Sequence, residues 1–248
     1  MSTKVAIITD IHGNSPALQA VLKDIDSQSD IEHIYCLGDM VAIGPDTDEV
    51  LVALFEREDV SMITGNHEDA VLAIFRGQEP ASRDEERAHH EWIVENTDEA
   101  LLRSLLDLPR SLRIEHEEKS LLLVHYHLDA ADNFLPIDRD PSADELDTIY
   151  NGDKADIVCF GHHHPVHFFK SATRTYLNPG SLGCCDRPVA RYAILDIDSQ
   201  DIAVEMKEIP YDNRQFLLSY EQLGVPARDF LLMAFHGNQH MGIHEEES

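Results

Sequence analysis

The run CFGHHHPVHFF at residues 159–169 sets three consecutive histidines, and then a fourth, between two apolar stretches. Imidazoles are costly to bury without a partner; they are also the commonest protein ligands for metals and carriers of protons. Residues alternate faces along an extended segment. That would send His162 and His164 to one side, towards one metal centre or two adjacent ones, and leave His163 free to face solvent or a substrate. Other apolar runs end in similar chemistry. VAIIT (5–9) leads into Asp10-Ile11-His12, IYCL (34–37) into Gly38-Asp39, SMIT (61–64) into Gly65-Asn66-His67-Glu68, and LLLV (121–124) into His125. Taken singly, these are a turn acid beside a surface histidine, an ordinary Gly-Asp turn, an Asn that caps a helix and a hydrogen-bonded core histidine. Taken together, five strand ends bring two Asp, one Asn and several His, with glycines small enough to let backbones crowd. That is a donor set for divalent cations.

The elements that must position these residues follow from periodicity. VAIIT is a β-branched run, and after GNSP the stretch ALQAVLKDID places Leu18, Val21, Leu22 and Ile25 at helical spacing, with Pro16 in the first turn. A second strand is expected over 31–39, a helix with an acid-rich start over 46–58 and a third strand over 60–66. This β-α-β-α-β order predicts a parallel sheet with helices packed on it. Residues 67–106 read as a helical insertion broken near 77–82. SLRIEHEEKSLLLVHY (111–126) reads as a hairpin turning at HEEKS, 127–141 as an Asp- and Pro-rich loop, and 142–150 as a short helix. DIVCF, HFFKSA, RTYLNPG, RYAILDID and DIAVEMKEI then make the second half strand-dense. A helical pair over 212–235 and a frayed tail over 236–248 close the chain. With no internal repeat and no long linker, 1–248 is expected to be a single domain.

In this order D-x-H, G-D, G-N-H-E, H and G-H-x-H resemble the signature of calcineurin-like metallophosphoesterases, over residues 5 to about 195. MSTKVAIITDIHGNSPALQAVL and LNPGSLG are similar to the small bacterial and archaeal phosphodiesterase branch of that family. The resemblance implies an α/β fold, a four-layer α/β/β/α sandwich with two mixed central β-sheets, which suits the strand-dense second half better than a doubly wound sheet. It implies two metal ions: Asp10, His12, Asp39 and His164 around the first, and Asp39, Asn66, His125 and His162 around the second. Asp39 would bridge, as two carboxylate oxygens allow. Mixed nitrogen and oxygen ligation suits Mn²⁺ first, then Fe, with Zn²⁺ or Ni²⁺ also admitted, and disfavours Mg²⁺ and Ca²⁺. Two such ions ~3.5–4 Å apart can share a hydroxide and clamp phosphoryl oxygens during in-line attack.

By the same resemblance His67 protonates the leaving-group oxygen, with Asp39 or another nearby carboxylate orienting it; such a step typically contributes ~10²–10⁴-fold. Asn14, Tyr126, His127, Asn178 and Arg187 are candidate substrate contacts, with Arg191 an alternative to Arg187. Each has a plainer reading: a helix cap for Asn14, a tight turn for Asn178, a surface ion pair for Arg187. Glu68 reads as first-turn helix charge and not a ligand. The chain departs from the family pattern in three places. Tyr126 follows His125 where relatives carry Gly, so His127, expected on the same face, is the alternative ligand, and Tyr126 and the 127–141 loop would line the substrate pocket. Pro165 follows His164 directly. The 67–106 segment would overhang the cleft, favouring small substrates over polymeric duplexes.

Nineteen Lys and Arg against forty-seven Asp and Glu give a formal charge of −28, and only six of the bases are lysine. Such a surface repels nucleic acid and anionic membranes and is the kind that high-salt cytoplasm selects, for which melting temperature would rise steeply with KCl. A pair of divalent ions would still draw a phosphate into a cleft, because they dominate the local field. Four cysteines are too few for a disulfide framework and read as buried thiols. The N-terminus lacks a signal-peptide cleavage site, and no apolar stretch approaches the ~20 residues of a membrane span; a cytoplasmic protein is expected. The expected activity is dinuclear-metal-dependent hydrolysis of small phosphate esters, phosphodiesters or nucleotides. Phosphomonoesters or dinucleoside polyphosphates are alternatives, and a non-catalytic metal-binding interaction scaffold is the alternative of a different class. Oligomerisation is left open.

Overall fold

A computed structural model describes residues 2–131 and 133–246. β1 (Thr3–Ile8), β2 (Ile31–Cys36) and β3 (Val60–Met62) are parallel. β9 (Val189–Ile197) pairs antiparallel with β1, and β10 (Ile202–Pro210) pairs antiparallel with β9, which completes a mixed sheet in the order β10-β9-β1-β2-β3. A second mixed sheet has the order β4-β5-β6-β8-β7, from β4 (Ser111–His116), β5 (Lys119–Val124), β6 (Ile157–Cys159), β7 (His167–Lys170) and β8 (Thr175–Asn178).

Side-chain alternation assigns each face. Val5 and Ile7 of β1, Leu121 and Leu123 of β5, and Ile157 and Cys159 of β6 meet in one core between the two sheets. The intervening Ala6 and Ile8 face α1 (Ser15–Asp26) and α2 (Thr47–Phe55) in a second core. On the far side, Leu122, Val124 and Val158 pack against Leu146 of α6 (Ala143–Ile149) in a third. The result is the expected α/β/β/α sandwich.

The expected helical segment divides into α3 (Asn66–Phe75), α4 (Asp84–Asn96) and α5 (Glu99–Leu105), and α3 and α4 pack together. The final pair is α7 (Arg214–Gln222) and α8 (Arg228–His236). The tail expected to fray is instead helical over α9 (His240–Glu246). Asn213 donates to Gln239 Oε1, and Gln239 Nε2 donates to the Cys185 and His236 carbonyls, which ties the start of the tail down. Residues 247–248 lie outside the described residues. All four cysteines are buried free thiols. Among the described residues no helix is long and apolar enough to cross a membrane.

Candidate metal centre

The carboxyl ends of β1, β2 and β3 and of β5 and β6 meet at one edge of the sandwich, and the backbone there is unusual. Asp10, His12, Asp39, His162 and His164 all have φ between 52° and 76°. This left-handed region is uncommon outside glycine, though Asp and His enter it more readily than most, and it stores strain of order 1–3 kcal/mol per residue at functional sites. The chain turns sharply after each strand and aims the next side chain inwards. Two glycines make the crowding possible. A Cβ on Gly65 would lie 2.2 Å from Asp39 Oδ1, and one on Gly161 would lie 2.1 Å from Thr9 Oγ1 and 2.5 Å from Asp10 Oδ2.

The ligand atoms converge in two sets. His12 Nε2 is 3.0 Å from His164 Nε2, and each lies 3.7 Å from Asp10 Oδ1; Asp39 Oδ2 is 4.0 Å from His12 Nε2. In the second set His125 Nε2 is 3.1 Å from Asp39 Oδ2 and 3.0 Å from Asn66 Oδ1. Asp39, His125 and His162 also form a group whose ligand atoms lie within 4.8 Å of one another. Donors sharing an ion at about 2.1 Å stand roughly 3.0–3.4 Å apart, depending on geometry, so these separations fit metal ligation. The tautomers agree. His125 Nδ1 faces the Leu37 carbonyl at 2.8 Å and donates to it, so a neutral His125 turns the Nε2 lone pair towards a carboxylate and an amide oxygen. A neutral His125 leaves three lone pairs facing one another, an arrangement relieved by a metal ion or a proton between them, and a carbonyl behind the ring is how ligating histidines are held.

Electrostatics point the same way. Burial works against a charged His125, but the Asp39 carboxylate outweighs it and raises the imidazole pKa to about 9. Burial also opposes ionisation of Asp39, and the positive charge of His125 and His67 overrides it, holding the carboxyl well below its usual value. Without a metal, then, the centre collects a proton where a cation belongs. Burial keeps His12, His162 and His164 neutral, with His162 lowered to about 3, and neutral imidazole is the ligating form.

Asp10, His12, Asp39, Asn66, His125, His162 and His164 therefore come together, as the sequence led one to expect. His67 borders the same cleft, whose volume is about 600 Å³. Its backbone N–H donates to Asp39 Oδ1, and a ring nitrogen lies within 4.8 Å of an Asp39 carboxylate oxygen and of a His12 ring nitrogen. Nδ1 lies 2.7 Å from His90 Nε2, and His90 Nδ1 lies 2.9 Å from Ser82 Oγ.

Other expectations need correcting. His163 does not face solvent: its backbone neighbours are left-handed, the alternation of an extended strand is lost, and the ring packs between Tyr126, Phe160 and His167, although the residue still lines the cleft, in keeping with the other expected alternative. His127 turns away from His125 to reach the Tyr150 hydroxyl at 2.8 Å, because β5 has already ended at Val124. Tyr126 is core, its hydroxyl accepting from the Asp138 N–H under the ring of His162. The 127–141 loop does reach the cleft, but through Ile137 and Arg139. Asn14 caps α1 through the Ala17 N–H and donates to the Gly183 carbonyl; Asn178 closes a turn on Gly180 and donates to Gly161. Arg187 is exposed and paired with Glu208, whereas Arg191 lines the cleft.

Three residues escaped sequence reasoning. Glu68 is fully buried. Its carboxylate accepts from the N–H groups of Asp39, Met40, Val41 and Gly65 at 2.7–3.1 Å, and burial, with Asp39 nearby, raises its pKa to about 7. A Glu at the third position of a helix that begins just after Gly65 was the available signal, since that is where a carboxylate reaches back. Cys184 stands beside His12 and His164 as a further possible donor. His90, twenty-three residues from His67, carried no local signal.

Comparison with known proteins agrees with this geometry. The sequence profile of the calcineurin-like phosphoesterase superfamily domain matches residues 3–200. An uncharacterized protein of Methanocaldococcus jannaschii is 25% identical over 90% of this chain and 93% of its own length. A symmetrical bis(5'-nucleosyl)-tetraphosphatase of Klebsiella pneumoniae is 31% identical over 48% of this chain, and the match spans only 41% of that enzyme. In fold, a hypothetical protein of Pyrococcus horikoshii superimposes with a TM-score of 0.80 at 20% identity, covering 95% of this chain and 98% of that one.

Proposed function

The chain belongs to the calcineurin-like phosphoesterase superfamily and is a metal-dependent phosphoric ester hydrolase; from that premise we propose that it cleaves small phosphodiesters at a dinuclear centre, with Mn²⁺ the native ion. The observation that carries the reading is the pair of donor sets meeting at Asp39, one of them with three lone pairs turned on one point. Asp10, His12, Asp39 and His164 would hold one ion, and Asp39, Asn66, His125 and His162 the other. Bound there, two divalent ions would supply Lewis acidity towards the phosphoryl oxygens and a nucleophile at neutral pH.

The chain's own residues do the rest. Arg139 and Arg191 on the cleft wall receive the phosphoryl oxygens that point away from the metal side. Arg191 shares its charge with Glu208 at 3.0 Å, while Arg139 has no ion pair among the described residues, so Arg139 is the stronger anchor. His67 is fixed at its backbone by Asp39. Its Nδ1–H donates to His90 Nε2, which leaves Nε2–H for the departing oxygen. Burial, then the neighbouring His67 and His89, lower the His90 pKa to about 3, so His90 stays a neutral acceptor and passes its own Nδ1–H to Ser82. This network assigns the tautomers. A neutral partner orients His67 without holding its proton back, as a carboxylate would.

Hydrolysis of bis-p-nitrophenyl phosphate and p-nitrophenyl phosphate, in Mn²⁺ and in EDTA, tests the reading. Turnover that favours the diester, vanishes in EDTA and returns with Mn²⁺ is expected. No turnover of either ester in Mn²⁺, Fe²⁺, Zn²⁺ or Ni²⁺ would leave only the scaffold. Cleavage of a dinucleoside tetraphosphate, the reaction in the Klebsiella relative's name, is the second reading, and it rests on the shared part of the two chains.

A further inference from the structure

A second cavity of about 700 Å³ adjoins the metal cleft, and His67 and Phe230 line both. We propose that this cavity is the leaving-group subsite, and that it takes an uncharged, flat alcohol such as a nucleoside or phenol while excluding one that ends in further phosphate. The inference rests on the phosphodiesterase reading above and names the substrate class of that site.

Three observations carry it. The first is position. In-line attack sends the leaving oxygen to the side opposite the nucleophile, and His67 is the group set to protonate it. The body of the leaving group must therefore extend past His67, where this cavity opens. Its volume lies within the ~300–1,000 Å³ typical of small-molecule sites.

The second is surface chemistry. His89, His90 and Leu231 are buried and form the floor, while Phe230 is 53% exposed at the junction. An exposed aromatic ring beside a catalytic histidine offers a stacking face for a base or an aryl group. His89 is only 3% exposed and stacks on Trp92, with ring centroids 6.3 Å apart and planes 16° from parallel. Neither of its ring nitrogens completes a hydrogen bond among the described residues, although the Pro226 carbonyl favours its protonated form. With one ring nitrogen turned to Pro226, the other is the polar contact left for a ligand hydroxyl or ring nitrogen.

The third is charge. Asp84, Glu85 and Glu86 face Arg83 around the rim, a surplus of acid on a chain already at −28. The proposed ions lie in the neighbouring cleft and would compensate the phosphoryl group being attacked. A phosphate beyond His67 would instead meet carboxylates at short range, where repulsion is least screened. The rim thus favours leaving a nucleoside over leaving a nucleotide.

Trp92 is the chain's one tryptophan and gives a readout independent of turnover. In EDTA, adenosine titrated into the metal-free protein should quench Trp92 fluorescence saturably, and ADP should bind at least tenfold more weakly. Phe230→Ala, at an exposed position, should weaken adenosine binding about 5- to 150-fold, the range of one base–aromatic stack. Glu85→Lys with Glu86→Lys should narrow the gap between adenosine and ADP. In Mn²⁺, the wild-type protein should cleave a dinucleoside monophosphate faster than a dinucleoside tetraphosphate. An absent Trp92 response, indifference of that response to Phe230→Ala, or preference for the tetraphosphate would each overturn the inference. Failure of all ester hydrolysis would instead overturn the phosphodiesterase reading, and the Trp92 titration in EDTA separates the two.

Discussion

The two sheets contribute opposite halves of the centre. Loops at the end of the first sheet bring both carboxylates, Asp10 and Asp39, together with Asn66 and His12; the second sheet brings only imidazoles, His125, His162 and His164. The first half is anionic, and the second is neutral unless protonated. Neither is a metal site by itself. They meet because Val5, Ile7, Leu121, Leu123, Ile157 and their neighbours form one apolar core that presses the sheets face to face. The non-directional burial of that core sets the directional chemistry at its edge. The raised pKa of His125 and the lowered pKa of Asp39 are the electrical record of that meeting.

Removing the residue common to both donor sets should break the pairing most completely. Asp39→Ala should lower bis-p-nitrophenyl phosphate turnover by more than the ~10²–10⁴-fold expected of His67→Ala, with metal content near zero. His67→Ala should keep its metal. Equal metal content in Asp39→Ala and wild type would contradict the bridging role.

Glu68 tests whether the anionic half depends on its own scaffold. Glu68→Ala strips partners from four buried N–H groups at ~1–3 kcal/mol each, less whatever water recovers. A fall in melting temperature of about 10 °C or more should accompany ~10–100-fold weaker metal binding, the usual cost of losing a group that holds a ligand in place. Unchanged melting would remove Glu68 from this account.

These two residues also mark what was readable beforehand. Asp10, Asp39, Asn66 and the histidines of the candidate donor sets were legible because each stands at or just past the end of an apolar run, and a strand's end is a local feature. Glu68 was legible only as a charge in a first helical turn; that the carboxylate turns inwards depends on the Gly38-Asp39 loop, twenty-nine residues away. The burial of His163 and the turn of His127 away from the centre went unread for one reason. Face alternation holds only while the chain is extended, and both residues lie beyond the last extended position of their strands. The helix α9 went unread because what fixes its start is Gln239 reaching Cys185 and Asn213, which is tertiary information.

A smaller effect is expected where the insertion meets the centre. His90→Ala should cut kcat ~10–100-fold with KM and metal content unchanged, and His90→Asn, which retains an acceptor, should recover part of the loss. The loss should grow with poorer leaving groups, since protonation matters most there. A uniform loss across leaving groups, or a change in KM alone, would mean that His90 only supports the fold.

The smallest effects per residue lie in acid stability. Burial lowers His89, His127 and His236 to about 4, and His90 and His163 to about 3, against ~6.5 for an exposed histidine. Between those values the unfolded chain binds more protons than the folded one. Stability present above about pH 6.5 is therefore lost as pH falls towards 4, by up to about 1.4 kcal/mol per pH unit for each such histidine. Urea melts at pH 7.5, 6, 5 and 4 should show midpoints dropping progressively, and a flat series would mean that these rings are solvated.

The most direct measurement is a Mn²⁺ titration of the metal-free protein followed by electron paramagnetic resonance. Two ions per chain with an exchange-coupled signal are predicted, falling to one uncoupled ion in His164→Ala. Saturation at a single isolated ion in the unaltered chain would contradict the claim that the two sheets jointly hold a pair.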